Sequence, residues 1–212
     1  MPAAKSDPAV VSIVLGTRNR KKCAELVDHL AGLPITFRTI ADFPTAPEVI
    51  EDGVTFLDNA RKKATQLAVF LGEWVLGEDS GLVVDALGGR PGVYSARFAG
   101  EGASDEENNR KLLDELANIP DDKRTAHYVC KAVLADPAGT IQAEVEGRCH
   151  GRIDRVAHGA QGFGYDPLFI IPEYHRSFGE LGLLVKRHLS HRARAIARLR
   201  DALLRILSRR ES

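Results

Sequence analysis

Cysteine is scarce in this chain. Its three cysteines, Cys23, Cys130 and Cys149, are odd in number, far apart and never in C-x-x-C spacing. Neither a thiolate zinc cage nor a disulfide framework follows from that pattern, which predicts reduced thiols in a cytoplasmic protein. A surplus of positive charge is missing too: Lys plus Arg and Asp plus Glu each number 29. Binders of duplex nucleic acid carry a basic excess, so no nucleic-acid partner is expected. A small anionic ligand stays open, because a pocket needs only local positive charge. Long hydrophobic runs are absent, none approaching a bilayer span, so no membrane partner is expected. The opening MPAAKSDPA has no apolar core of signal-peptide length. There is no internal repeat, no low-complexity tract and no Walker loop, which requires G-x-x-x-x-G-K-[ST].

What is present is ordinary globular composition, 44% hydrophobic and 27% charged over 212 residues. That length suits one α/β domain, or one domain with a small lobe. Residues 10–208 are expected to form a single domain, with 1–9 and 209–212 as flexible termini. Val10–Leu15 is nearly continuous in apolar and β-branched residues, as a buried strand is. Cys23, Leu26, Val27 and Leu30 then recur at helical spacing, and Gly32-Leu33-Pro34 stops that helix. Thr55 with Asp58 predicts a capping box opening a helix to about Leu71, with Leu57, Ala64, Leu67, Ala68 and Leu71 inward. Trp74–Leu76 and Leu82–Val84 read as two short strands flanking a turn at Glu78–Gly81. Ser104 with Glu107 opens another helix through Leu116.

The clearest strand signal is the alternation of Ile141, Ala143, Val145, Gly147 and Cys149 with polar neighbours. Its partner is Ala126–Ala135, joined through Asp136-Pro137-Ala138-Gly139. Leu168–Ile171 is a further short strand, and a last helix runs from about Ser190 with Ile196, Leu199, Leu203 and Ile206 or Leu207 inward. Mixed crossovers and hairpins predict an α/β fold with a mixed, twisted sheet flanked by helices.

Five segments could carry chemistry. Gly16–Lys22 joins a strand to a helix start, where unpaired N–H groups and the helix dipole favour an anion. Thr17 and Asn19 add donors there, and Arg18, Arg20, Lys21 and Lys22 add charge; the same residues suit a solvated helix start capped by Asn19. Glu78-Asp79-Ser80-Gly81, read as a turn, lets two carboxylates converge, which is costly without a cation such as Mg²⁺; taken alone, the residues read more readily as a polar hairpin turn, since such turns are common. Glu51-Asp52 is a further source of oxygen ligands. Gly159–Asp166 holds three glycines, and Phe163 and Tyr165 offer flat faces on which a nucleobase stacks, or fill the core. Lys186 and Ser190-His191-Arg192 place donors at the last helix. The remaining arginines of that helix, Arg194 to Arg210, read as a solvated face.

Each segment alone is ambiguous, but their order is not. Thr17-x-Asn19-x-x-Lys22, Glu51 followed by Phe56, Asn59 and Lys63, Glu78–Leu82, Pro91–Arg97, Gly162–Pro167 and Ser190-His191-Arg192 occur in the sequence order of one family. From Val10 to Leu207 the chain closely resembles the noncanonical purine NTP pyrophosphatases, also called inosine/xanthosine triphosphate pyrophosphatases. The resemblance implies an elongated sheet in two lobes with a central active-site cleft, a homodimer, Mg²⁺ as cofactor, and hydrolysis of ITP, dITP and XTP to the monophosphate and pyrophosphate. By position, Asp79 resembles the proton acceptor and a metal ligand, and Glu51 an acidic metal-site residue. Thr17, Arg18, Asn19, Arg20, Lys21, Lys22, Lys63 and Lys186 resemble phosphate-side contacts. Ser80, Phe163, Gly164, Tyr165, Asp166, His191 and Arg192 resemble substrate contacts.

The chain departs from the family pattern at Arg18 and Lys21, where Gly is usual, at Glu78, where Asp is commoner, and at Gln161, where Gly is common. On this resemblance Asp79 deprotonates the water that attacks the α-phosphorus, and Lys22, Lys63 and Lys186 stabilise the leaving pyrophosphate. A buried donor aimed at purine O6, from His191, Arg192 or a backbone N–H near Phe163, would reject ATP by roughly 10⁴–10⁵. Two rivals are a Maf-like pyrophosphatase for modified pyrimidine nucleotides, against which Gly162–Pro167 and Ser190–Arg192 speak, and a nucleotide sensor of low turnover, disfavoured by intact Asp79, Glu51 and Lys63.

Overall fold

The structure, a computed structural model, describes residues 11–208. Val10 and the expected flexible termini lie outside the described residues, as do Arg209 and Arg210. Strand β1 (Val11–Leu15) is followed by α1 (Arg20–His29), β2 (Ile35–Thr39) and α2 (Phe56–Leu71). Then come β3 (Trp74–Val84), a 3-10 segment Gly92–Arg97, α3 (Asp105–Glu115), β4 (Thr125–Ala135) and β5 (Ile141–Ile153). The chain ends through β6 (Phe169–Ile171), β7 (Arg176–Ser177), α4 (Phe178–Leu189) and α5 (His191–Ser208). The strands form one seven-stranded sheet in the order β2-β1-β3-β4-β5-β6-β7. β1 is parallel to β2 and β3, as helical crossovers require, and every later pair is antiparallel. This is the mixed α/β sheet that the sequence predicts.

The sheet's side chains alternate between two faces. Near β1, one face packs Ile13, Leu15, Leu76 and Leu134 against Leu26 of α1 and Ile196, Leu199 and Leu203 of α5. The opposite face packs Val14, Val75 and Val133 against Ala60, Ala64 and Leu67 of α2. A third cluster sits farther along the long strands, where Leu82, Tyr128 and Phe169 meet Leu112 and Leu116 of α3. Two glycines permit close helix contact: a Cβ on Gly77 would strike the α2 backbone at Ala60 and Ala64, and one on Gly147 the α5 backbone at His191 and Ala195. Between these apolar clusters β3 and its neighbours carry buried polar and charged side chains: Glu78, Asp79, Lys63, His191 and Arg192.

Several sequence expectations change here. The predicted turn at Glu78–Gly81 is the middle of an eleven-residue strand, paired with β4 from Val75↔Ala135 to Val84↔Ala126. Glu78 and Asp79 therefore point to opposite faces and do not converge. The α2 capping box forms as expected, but Leu57 and Leu71 are only half-buried, and Asn59 and Lys63 share the inner stripe. β2, β7 and α4 went unpredicted. α4 carries Gly179 and Gly182, and Gly182 leaves helical geometry at φ 75°, which erases the periodic signal.

Candidate active site

The loop after β1 is tied to the sheet by a Gly16 N–H donated to the Leu76 carbonyl at 2.9 Å. Asn19 caps α1: its Oδ1 accepts from the N–H of Lys21 at 3.0 Å and of Lys22 at 3.2 Å. Thr17 Oγ1 accepts from Asn19 N–H at 3.2 Å. The capping reading of this loop holds, and the capped helix start also lines a cleft of about 310 Å³ with Thr17, Arg18, Asn19, Lys22, Lys63 and Asp79. Arg20 is exposed and lines neither this cleft nor the one described next.

A second cavity of about 140 Å³ is lined by Phe163, Gly164, Tyr165, Asp166, Lys186, His191 and Arg192. Asn19, Lys22, Ser80 and Ala96 line both, so the two form one continuous cleft. Lys21 stands over the Phe163 ring, 5.4 Å from its centroid, and Lys186 is closer at 4.2 Å. A broader depression around Gly100, Arg110 and Lys111 is larger, about 450 Å³, but contains none of the residues singled out by the sequence.

The pleat of β3 assigns the charges of the cleft. Asp79 faces α2, where Asn59 Nδ2 donates to its Oδ2 at 3.0 Å and Lys63 Nζ lies 3.7 Å from its Oδ1. Asn59 is itself oriented by the Gly53 N–H, which donates to its Oδ1 at 2.8 Å. Lys63 also pairs with Glu51 at 2.8 Å, so its ammonium stands between Glu51 and Asp79. Burial raises the Asp79 pKa above its ordinary value, against the pull of Lys63 and Lys22. A carboxylate whose charge is not fully compensated is a group that a cation or a proton relieves.

Glu78 and Ser80 face the other way, toward α1 and α5. Glu78 is fully buried, bonded by Lys22 at 2.9 Å and Arg192 at 3.0 Å. Burial alone would push its pKa up, but Arg192 and Lys22 outweigh that and hold it well below the usual range. Arg192 donates to Ser80 Oγ at 2.9 Å and pairs with Glu25 of α1. Glu25 lies 3.5 Å from Lys186, which pairs with Asp166 at 2.6 Å. Alternating charges thus run from the helix start to the Gly-rich loop: Lys22, Glu78, Arg192, Glu25, Lys186, Asp166. His191 is buried, stacked on Tyr128 at 4.7 Å, and burial followed by Arg192 holds its pKa well below the ordinary value. Its Nδ1 has no partner among the described residues. Two backbone donors at Phe163 are occupied: Phe163 N–H donates to Asp166 Oδ2 at 2.9 Å and Gly164 N–H to Asp105 Oδ2 at 2.7 Å.

The structure thus gathers Thr17, Arg18, Asn19, Lys22, Glu51, Lys63, Asp79 and Ser80 at one end, and Phe163–Asp166, Lys186, His191 and Arg192 at the other. The sequence placed Asn59 and Arg97 in family motifs without giving either a role, and singled out neither Glu25 nor Asp105. A role for Asn59 follows from its place four before Lys63, on the same face of an apolar helix stripe. Among the described residues no helix is long and apolar enough to cross a membrane.

Residues 13–202 match the Ham1 family model. The chain is 52% identical over 195 residues to a dITP/XTP pyrophosphatase of Rhodopirellula baltica, covering 92% of this chain and 94% of that one. It is 50% identical over 191 residues to a dITP/XTP pyrophosphatase of Geobacter sulfurreducens, covering 90% and 96% respectively. Its fold matches the solved structure of a HAM1 protein from Coxiella burnetii with a TM-score of 0.86 and 36% identity, over 92% of this chain and 100% of that one. With a family match from β1 into α5, relatives of this identity and one shared fold, the chain belongs to the Ham1 family.

Proposed function

We propose that this protein hydrolyses non-standard purine nucleoside triphosphates (ITP, dITP and XTP) to the monophosphate and pyrophosphate, clearing them from the nucleotide pool. Membership of the Ham1 family and the dITP/XTP pyrophosphatase relatives support the activity. The observation that carries the site assignment is the continuous cleft, with Asp79, Lys63 and Lys22 at one end and Phe163, His191 and Arg192 at the other. The first end suits a triphosphate and the second a purine.

Asp79 is the general base. Asn59 fixes one of its oxygens, and the other accepts the Ser80 N–H at 3.0 Å with Lys63 Nζ 3.7 Å away, while the residue lines the cleft. Its raised pKa strengthens it as an acceptor of the proton of the attacking water. Lys22 and Lys63 receive the charge moving onto the leaving pyrophosphate. Thr17, Arg18 and Asn19 bind the phosphate chain at the helix start. Lys186 is bonded to Asp166 and stands over Phe163, so its contact is with the base-proximal part of the nucleotide.

Mg²⁺ is the proposed cofactor, and the donors fit it: the carboxylates of Glu51 and Asp79, which flank the Lys63 ammonium, would hold it. Bound there, it would supply charge neutralisation at the triphosphate. Lys63 Nζ holds these carboxylates together without it.

Base choice falls to His191, because the backbone N–H groups of Phe163 and Gly164 are bonded to carboxylates and Arg192 already donates to Glu78, Glu25 and Ser80. A neutral His191 offers one N–H to purine O6, where adenine presents an amine. We further propose that residues 10–208 act as a single catalytic domain, and that the protein works as a homodimer in the cytoplasm.

The test is a product assay with ITP, XTP, GTP and ATP in the presence of Mg²⁺. Pyrophosphate from ITP and XTP, with kcat/KM far above that for ATP, is expected. Free phosphate instead of pyrophosphate, or binding without product, would refute the reading.

A further inference from the structure

Helix α3 belongs to no motif of the nucleotide site, yet it touches the base end of the cleft through two side chains one turn apart. Asp105 and Asn109 occupy positions i and i+4 and so share a helix face. Asp105 Oδ2 accepts the Gly164 N–H at 2.7 Å, and Asn109 Nδ2 donates to the Gly164 carbonyl at 3.0 Å. Both polar atoms of one glycine are thereby held by a helix more than fifty residues away in sequence.

That glycine is the least self-ordering point of the loop. Gly164 has φ 64°, a left-handed conformation that glycine enters freely but also leaves freely. Its neighbours are held from elsewhere, Phe163 by Asp166 and the Tyr165 hydroxyl by the Ser95 carbonyl at 2.8 Å. The Asn109 bond is kept although Asn109 Oδ1 is buried with no partner. Reversing the amide would set its oxygen against the Gly164 carbonyl, so the donor must face the loop and the acceptor is left unpaired.

We propose that Asp105 and Asn109 are positioning residues for purine binding, clamping Gly164 so that Phe163 and Tyr165 present a preformed base pocket. This rests on the functional reading above and deepens it. The clamp also ties up the Gly164 N–H, so that it does not compete with His191 for O6.

The experiment measures the affinity for inosine monophosphate by calorimetry, which needs no turnover, beside steady-state kinetics with ITP. In Asp105→Ala, the Kd for inosine monophosphate and the KM for ITP rise about tenfold, the scale of one lost charge-assisted hydrogen bond, while kcat stays within about threefold by the same reasoning. Asp105→Asn, whose amide oxygen accepts the same N–H, restores both. Inhibition by inorganic tripolyphosphate, which occupies only the phosphate end, is unchanged in either variant. Asn109→Ala gives a second, independent loss of inosine monophosphate affinity. The proposal is overturned if the Asp105→Ala affinity stays within twofold of wild type, if Asn restores nothing, or if tripolyphosphate inhibition weakens in parallel. A wild-type protein that binds inosine monophosphate but releases no pyrophosphate from ITP refutes the functional reading and leaves the clamp to be judged by the Kd series.

Discussion

Replacing Glu78 by Gln tests whether the buried charge on β3 is structural. Glu78 has a side chain with no solvent exposure and bonds both Lys22 and Arg192. Gln keeps the shape and removes the charge, leaving two cations facing a neutral amide. Breaking a buried pair in this way costs about 3–5 kcal/mol. The low end applies, since the Lys22 side chain is 16% exposed and Arg192 keeps Glu25. A loss of about 3 kcal/mol lowers the melting temperature of a chain this size by about 6–12 °C. Urea titration at pH 7 should show a lower midpoint at unchanged slope. The pH dependence has a defined sign. The folded pKa of Glu78 is depressed, so its contribution is complete above the unfolded carboxylate pKa of about 4.3 and is lost as pH falls through the folded value. The gap between wild type and variant must therefore narrow in acid. A gap below about 1 kcal/mol at neutral pH, no more than a surface pair is worth, would refute the reasoning.

Asp79→Asn should cut kcat by about 10²–10⁴ and melt no lower than wild type, because burial raises the Asp79 pKa and a neutral amide carries no such penalty. For the same reason the Asp79 carboxyl of the Mg²⁺-free protein should titrate above the ordinary aspartate range, read by NMR, and added Mg²⁺ should bring it down. Asn59→Ala frees one oxygen of Asp79 and should lower kcat more than it raises KM; an unchanged kcat would remove its orienting role. Chelation with EDTA should abolish pyrophosphate release and added Mg²⁺ restore it; turnover in EDTA would exclude the proposed cofactor. His191→Ala should narrow the ITP-to-ATP ratio in kcat/KM, and an unchanged ratio would take O6 recognition away from His191.

The sequence announced most of the elements through local chemistry. Capping boxes at Thr55, Ser104 and Ser177 open α-helices, and the first two are plain in the residue order. The alternation from Ile141 identifies β5, although the strand runs on to Ile153. The site motifs were legible as residue types in order, and the cleft collects nearly all of them. Their orientation was not. Glu78-Asp79-Ser80-Gly81 reads as a turn because polar residues and glycine mark turns. Here the polarity serves buried ion pairs, and Gly81 makes room for Ser95 and Phe56. Arg192, Glu25 and Lys186 sit on three different helices, so no local pattern could reveal their contact. β2, a five-residue edge strand only partly buried, lacks the apolar run that marks β1.

The alternation along β3 has a consequence for how this chain can change. Every second residue from Val75 to Gly81 meets α2, and the others meet α1 and α5. Inserting or deleting one residue before Glu78 would exchange the two sets wholesale. The base would turn into the ion-pair layer, Glu78 would meet Lys63, and Leu76 or Glu78 would press into the space that Gly77 leaves for the α2 backbone. Point substitutions can be absorbed along this strand one at a time, but its length admits no drift, and neither does that of β4, which shares its register over ten pairs. Variation in chain length is therefore confined to the connections, such as the hairpin Asp136–Gly139, which lies beyond the last of those pairs.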